Sequence, residues 1–475
     1  MTPDHYSLQD ILAMAMVHPF YSAAEYPPTP ESASKILAAA RLNKQSVLDL
    51  KRFPLTRKES LYRTIQRLSA DPDPRNGYRQ QAYISVTGGG SGGVPMVFVT
   101  DSVENRRQRD VTGALVKHCR LIEPGDWMLT MHIAGHFYRI MELIGSRALD
   151  LITEIAEQAG AGVFCAGIYM PYADVVKALI QYRINVVAAD GSQIVQLAAY
   201  ISSLPPEERE GINVDKVLYT SEPLVRTQRA FIRSVMGPVT ICSILGSSEA
   251  GAWAVANLDL TGDTDDDCTE FIFDTRSMVI EILPLSVEDP DQSENTVSLA
   301  ELPEGEAGIV VQTSLQRLRN PLVRYVSGDV GSLHPLPASA LAKIPPAEAQ
   351  HMKLLRLYGR DRRFSFKWSG AYFAFDQVEA LMRTENYGIL QWQIALSYTD
   401  GTPETALEIR IFRPDADNPK LVSTKELVAI LEKFFGLLPI NEMLFRVTFV
   451  QSTEELERSK TGNKVIKFVD RTMKE

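Results

Sequence analysis

Five of the eleven residues from Ser85 to Pro95, SVTGGGSGGVP, are glycine. Glycine tolerates φ > 0 and lets backbone come close to a ligand. Successive N–H groups in such a stretch can form a concave nest for phosphate oxygens. Ser85, Thr87 and Ser91 can add hydroxyl donors. The Gly-Lys-Ser/Thr of a Walker loop is missing, and a plain hairpin or linker has the same composition. A second segment, SILGSSEAGAW (243–253), takes an apolar run into a Gly-Ser-Ser-Glu turn, where Glu249 can hold Mg²⁺, a hard ion that prefers oxygen. In PLVRYVSGDVG (321–331), Asp329 follows a strand-like run and can accept hydrogen bonds from ribose hydroxyls. In SKTGNK (459–464), Lys464 can neutralise charge developing on a carboxylate and an α-phosphate. Singly, each is matched by an ordinary surface turn, a common place for Asp, Ser and Gly. Together, in one order on one chain, they point to a single site.

These segments need elements to hold them. From about 101 to 250 the chain alternates helical and strand-like runs. DSVENRRQRDVTGALVKHCRLI precedes WMLTMHI, ADVVKALIQYRI precedes NVVAAD, GSQIVQLAAYISSL precedes VDKVLYTSEP, and RTQRAFIRSVMG precedes VTICSILG. Such alternation predicts βαβ units and a mainly parallel sheet. Ligands then sit at the carboxyl ends of the strands, in the loops 132–138, 220–223 and 246–251. Residues 1–80 read as helices and turns. From 255 to 335, turn-rich acidic stretches separate alternating runs such as FIFDTRSMVIEI and AGIVVQTSL, an antiparallel pattern. After a Pro- and Ala-rich stretch, a boundary is expected near Arg360. Helices near AFDQVEALMR and STKELVAILEKFF and strands near ALEIRIF and FRVTFV then make a small α+β unit. The expected fold class is α/β: a large N-terminal multi-subdomain part, residues 1–360, with mainly parallel sheets plus a β-rich segment. A small mobile C-terminal α+β domain, residues 361–475, completes it.

The length, 475 residues, requires more than one core. A net charge of −10 argues against wrapping a polyanion, so no nucleic-acid partner is expected. The four cysteines, Cys119, Cys165, Cys242 and Cys268, lack paired metal-ligand spacing. The opening MTPDHYSLQD has no basic n-region, and no apolar run reaches membrane-spanning length. A cytoplasmic location without a membrane partner is expected.

The order of motifs resembles the adenylate-forming superfamily of acyl-CoA ligases, peptide-synthetase adenylation domains and luciferases, and within it the phenylacetate-CoA ligase branch. HPFY (18–21), DLKRFPLTRKESL (49–61), SVTGGGSGGVP, SEP (221–223) followed by Arg226, LGSSE (245–249), PLVRYVSGD (321–329), GRDRR (359–363), QVE (377–379) and LERSKTGNK (456–464) carry the resemblance over nearly the whole chain. It implies an ATP-dependent acid-activating ligase, akin to the acid–thiol ligases, using ATP and Mg²⁺. Thr87, Gly88, Gly89, Gly90 and Ser91 would surround the β- and γ-phosphates. Glu222 and Pro223 would flank adenine. Gly246 and Ser247 would lie along the nucleotide, with Ser248 at the α-phosphate and Glu249 on magnesium. Asp329 would hold the ribose, with Arg360 close by. Lys464 would bridge the acyl carboxylate and the nucleotide, and the C-terminal lid would rotate about Asp361 for a second half-reaction.

This chain departs from the pattern in places. Val94 stands where the phosphate loop usually has Lys, so one cationic contact to pyrophosphate is gone. Leu245 replaces an aromatic residue expected to stack near the nucleotide. An acyl pocket is expected between His132, Ala134, His136, Phe137, Tyr138, Ile244, Leu245 and Trp253. Its aromatic lining would suit a flat aryl acid, and the branch resemblance favours the same class. A phenazine carboxylate from antibiotic or other secondary metabolism is one such acid. The acceptor implied is CoA, a carrier-protein thiol or a downstream reductase. The competing expectation is a nucleotide- and aryl-acid-binding protein that kept the fold with little turnover.

Overall fold

The computed structural model describes residues 5–42, 48–86, 97–132, 148–221, 224, 226–263, 268–288, 300–360, 365–399, 403–413, 421–458 and 465–472. β1 (Ala82–Val86) and β2 (Val97–Asp101) pair antiparallel, with Val86 opposite Val97. The next eleven strands are β3 (Trp127–Thr130), β4 (Gly162–Cys165), β5 (Val186–Asp190), β6 (Lys216–Thr220), β7 (Thr240–Ser247), β8 (Gly251–Asn257), β9 (Thr269–Asp274), β10 (Met278–Leu283), β11 (Gly308–Ser314), β12 (Tyr325–His334) and β13 (Met352–Arg360). They form one sheet in the order β10-β11-β12-β13-β9-β8-β7-β6-β5-β3-β4. Contacts from β4 to β7 are parallel, as the helix–strand alternation predicts. From β7 onward every neighbour is antiparallel. The β-rich stretch therefore continues the parallel sheet, joined to it through the β7–β8 turn.

Helices cover the parallel half on both faces. Those before residue 240 are α1 (Leu8–Ala15), α2 (Pro30–Leu42), α3 (Lys58–Ala70), α4 (Ser102–His118), α5 (Ala148–Ala159), α6 (Tyr172–Gln181), α7 (Gly191–Ser203), the one-turn α8 (Pro206–Arg209) and α9 (Arg226–Met236). Alternation along β5 explains the layering. Val186 and Ala188 face a cluster with Leu115 and Val116 of α4 and Ile155 of α5. Val187 and Ala189 face the opposite cluster with Val176 of α6, Leu197 of α7 and Ile232 of α9. A strand buried on both faces reads as the continuous apolar run NVVAAD. Burying each such Val or Leu is worth roughly 1.5–3 kcal/mol.

Beyond residue 364, β14 (Ser365–Trp368) and β15 (Ala371–Ala374) form a hairpin. β16 (Gln391–Tyr398), β17 (Thr405–Phe412), β18 (Phe445–Val450) and β19 (Phe468–Asp470) form a separate sheet in the order β18-β17-β16-β19. Helices Phe375–Met382 and Thr424–Phe434 accompany it, the second opened by a Ser423–Glu426 capping box. Trp368, Val378, Ile394, Ile409, Leu431 and Phe435 belong to a core made entirely within this segment. The expected α/β and α+β parts are both present. Among the described residues, no helix is long and apolar enough to cross a membrane.

Candidate active site

The turn between β7 and β8 lies at the carboxyl end of the parallel strands, where an α/β sheet offers its ligand crevice. Two glycines shape it. A Cβ on Gly246 would lie 2.7 Å from the Gly251 carbonyl oxygen. At Gly251, where φ is +72°, a Cβ would lie 2.5 Å from the Gln108 side-chain amide. Ser247 Oγ accepts the Ala250 N–H at 3.0 Å, and Gln108 Nε2 donates to the Ala250 carbonyl at 2.8 Å. The Arg317 guanidinium donates to the Glu249 carbonyl. Glu249 itself is largely buried, and Lys58 Nζ of α3 stands 3.7 Å from its carboxylate. The Arg317 side chain lies over the Phe98 ring, and burial pushes its guanidinium down to about 10. It therefore stays charged at neutral pH.

Beside the turn opens a cleft of about 240 Å³. Gly246, Ser247 and Ser248 form one wall, Thr220 and Ser221 a second, and α4 a third. Asp101 caps α4, accepting the N–H groups of Val103 at 2.8 Å and Glu104 at 3.2 Å. The buried face of this helix changes character along its length. Leu115, Val116 and Cys119 enter the apolar core. One to three turns earlier, Asn105, Gln108, Arg109 and Thr112 continue the same face and line the cleft. Arg109 is held by Asp150 at 3.0 Å and Glu154 at 2.6 Å of α5, and lies over the Tyr83 ring. Thr112 Oγ1 donates to the Gln108 and Ala252 carbonyls. Sequence reading did not single out this stripe, although polar residues at i, i+3, i+4 and i+7 were there to be seen.

A hydrogen-bonded group lies beneath the Ser221 end of the cleft. His132 is fully buried, with Nδ1 2.9 Å from Thr130 Oγ1 and Nε2 2.8 Å from Thr220 Oγ1. Thr220 and Ser221 hydroxyls both donate to Asp190 Oδ1, at 3.2 and 2.7 Å. Burial holds the His132 imidazole below its usual range, and the Asp190 charge opposes this. Asp190 also caps α7. Ser221 carries a positive φ of +68°. Its carbonyl accepts a 2.6 Å bond from Lys367 of the β14–β15 hairpin, so the C-terminal segment touches the rim of the cleft.

Solved structures with this architecture exist. One, of 2-hydroxyisobutyryl-CoA ligase in complex with 2-HIB-AMP and CoA in the thioesterification state, is 18% identical, covers 98% of this chain and 88% of that chain, and has a TM-score of 0.62. This chain has the fold of the adenylate-forming ligases. The same ligase in its postadenylation state with 2-HIB-AMP matches at 17% identity over 97% of this chain and 87% of that one, with a TM-score of 0.51. No protein-family model matches the sequence, and no curated protein does either. At these identities the likeness is one of fold.

Within the adenylate-forming fold, the structure gathers only part of the expected site. Ile244, Gly246, Ser247 and Ser248 line the cleft, with Glu249 behind the turn. Leu245 and Trp253 do not line it. Strand alternation turns them to the other face, where both join a core with Phe98, and Trp253 meets Phe273 edge-on. His132 also stays off the cleft surface, saturated by its two threonines. Asp329 lies on β12 directly opposite Arg360 of β13, away from the cleft walls. Its N–H donates to Ser327 Oγ at 3.1 Å.

Thr87, Gly88, Gly89, Gly90, Ser91, Val94, Ala134, His136, Phe137, Tyr138, Glu222, Pro223, Asp361 and Lys464 lie outside the described residues, as does the Arg360 side chain. Their flanks are informative. The Val86–Val97 pair brings the two ends of the Gly-rich segment together. A bridge between Arg458 and Val465 does the same for the segment that carries Lys464.

Proposed function

We propose that this chain uses Mg-ATP to convert a carboxylic acid, aromatic in class, into an acyl-adenylate, and then passes the acyl group to CoA or another thiol. The observation that carries the reading is the Gly246–Glu249 turn. It opens on a cleft at the carboxyl ends of the parallel strands in an adenylate-forming fold. The carboxylate and ATP are both anionic, so positioning and charge neutralisation dominate the barrier. A carboxylate oxygen attacks the α-phosphorus. The bond to the β-phosphate oxygen breaks, and pyrophosphate leaves with the electron pair. A thiolate then attacks the acyl carbon and AMP departs.

Among the described residues no group of three His, Cys, Asp or Glu side chains gathers as a ready metal cage. Glu249 offers a single carboxylate. That fits magnesium, which is commonly held by one or two carboxylates with substrate phosphates and water completing its shell. Bound there, the ion would neutralise triphosphate charge. Lys58 and Arg317 set where Glu249 can stand. In this proposal Thr87 to Ser91 cradle the β- and γ-phosphates, Glu222 and Pro223 flank adenine, and Asp329 holds the ribose with Arg360 beside it. Lys464 bridges the two reactants. Residues 1–360 carry the nucleotide site, and residues 361–475 act as a lid turning at Asp361.

Val94 favours a second reading, an acid- and nucleotide-binding protein of low turnover, because one cation to the leaving pyrophosphate is missing. Acid-dependent ATP–pyrophosphate exchange across a panel of aryl carboxylates separates the two. Activation gives exchange that Lys464→Ala lowers by at least about a hundredfold, the scale on which loss of one charge-stabilising donor acts. Exchange that survives the substitution removes Lys464 from the mechanism, and none with any acid removes activation.

A further inference from the structure

Of the residues that line the cleft, Ser221 is the non-glycine residue with a positive φ, +68°. Such backbone is uncommon for a residue with a side chain and gathers at functional sites. Its carbonyl is held by Lys367, and its hydroxyl by Asp190 in an exposed bond of 2.7 Å. Counting protons fixes the directions of the bonds around it. An ionised carboxylate only accepts, so Thr220 and Ser221 each commit their one hydroxyl proton to Asp190 Oδ1. Thr220 Oγ1 must then accept from His132 Nε2, 2.8 Å away, and Nδ1 of the neutral ring accepts from Thr130. Burial holds that imidazole below its usual range, so it takes no second proton at neutral pH. His132 closes the buried end of the chain of bonds. The Ser221 end is open, and with its proton committed the hydroxyl oxygen offers the cleft only lone pairs.

A partner for that oxygen must carry a proton. The carboxylate and the phosphates of the first half-reaction are anions. The thiol of the second half-reaction has a proton and has to lose it, because the thiolate is the nucleophile. Ser248, placed at the α-phosphate in the reading above, stands on the neighbouring wall of the same cleft. We propose that Ser221 takes the proton of the attacking thiol and relays it to Asp190. As sulfur bonds to the acyl carbon, the S–H proton passes to Ser221 Oγ and the Ser221 proton passes to Asp190 Oδ1. The bond from the acyl carbon to the AMP oxygen breaks, and AMP leaves with the electron pair. Asp190 then returns its proton to water through the exposed Ser221 end. A thiol grows more acidic as its sulfur gives electrons to carbon, so a carboxylate is base enough at the moment of transfer. This inference rests on the acid-activating reading and assigns residues to its thiol step.

The test supplies synthetic aryl adenylates, benzoyl-AMP and those of the exchange panel, and measures thioester formation with two thiols of similar size. Ethanethiol is protonated at neutral pH, whereas the fluorines of 2,2,2-trifluoroethanethiol make it far more acidic, so it needs less help from a base. Ser221→Ala removes the relay. Asp190→Asn keeps an acceptor that caps α7 but has no carboxylate to take the proton. Both variants should lose at least about a hundredfold in rate with ethanethiol, the lower end of what a positioned base contributes. The loss with trifluoroethanethiol should be at least about tenfold smaller. Equal losses with the two thiols mark a structural role and overturn the inference, as does no loss. A defect confined to the KM for ATP in pyrophosphate exchange puts the Ser221 acceptor on the nucleotide and overturns it too. So does a wild-type chain that forms no thioester from any supplied adenylate. Ser221→Ala, at the exposed rim, carries the comparison alone should the Asp190 variant not fold. Exchange run in parallel separates the two readings. Absent exchange sinks acid activation while the supplied adenylates still decide the relay, and exchange with equal losses sinks the relay alone.

Discussion

Glu104 gives a prediction whose size follows from its surroundings. It begins the buried face of α4, one residue before Asn105, and fixes the chain just past Arg317. Its carboxylate accepts the Leu318 N–H at 3.0 Å and the Arg319 N–H at 3.3 Å, with the Tyr6 hydroxyl at 3.4 Å. Desolvation, followed by the nearby Asp101 charge, pushes its pKa from 4.5 to about 7, against the two N–H bonds and Arg107. Between those two pH values the folded chain keeps the proton and the unfolded chain has lost it. Stability from this group is therefore complete below pH 4.5 and declines as pH rises toward 7. Each pH unit of that interval is worth about 1.4 kcal/mol, so the total is about 3 kcal/mol. Glutamine keeps the shape and an acceptor for the N–H groups, and its amide can donate to the Tyr6 oxygen. Glu104→Gln should match wild type near pH 4 and exceed it by about 3 kcal/mol at pH 8, where the buried charge is fully formed. Urea denaturation of both proteins at several pH values measures this, with the midpoint difference multiplied by the slope. Parallel curves across the whole range refute the reasoning.

Two further outcomes are expected. Gly251→Ala adds a methyl at a positive φ, 2.5 Å from the Gln108 amide, and must evict the hydrogen bonds to Ala250 and Ala252. About 1–2 kcal/mol of backbone strain plus about 1 kcal/mol for each of the two lost bonds gives a loss of ~3–4 kcal/mol in urea denaturation, together with loss of acid-dependent exchange. If the Gly-rich segment holds the departing pyrophosphate as proposed, Val94→Lys adds a cation there and should lower the KM for ATP in the exchange assay. An unchanged or raised KM argues against that placement.

How legible the molecule is depends on where burial matches composition. β5, β6 and β7 announce themselves, because strands covered on both faces are apolar throughout and alternate with helices. The antiparallel run of β9 to β12 is likewise visible in its alternation and acidic turns. What the pattern hides is that the two halves share one sheet. The link is β8, GAWAVAN, whose small residues next to a glycine turn give little sign of a strand. α5 and β4 lie outside the alternation predicted from the sequence. In the site, the Gly-Ser-Ser-Glu turn was legible as chemistry. The placement of its neighbours was not: whether Ile244 or Leu245 faces the cleft depends on a register that a bulge at Leu245/Gly246 sets. The α4 stripe is legible in the sequence only as part of a helical run. Only the cleft distinguishes a polar wall from a misplaced core face.

The ladder behind Glu249 runs unbroken through eleven strands, from β10 at one edge to β4 at the other. Bending it at β7 or β8 would sever a row of backbone hydrogen bonds together, each costly to leave unmade. Admission and release of anything that occupies the crevice is thus the business of what lies over the sheet. The hairpin carrying Lys367 meets the rim through the Ser221 carbonyl, above a floor that holds its shape.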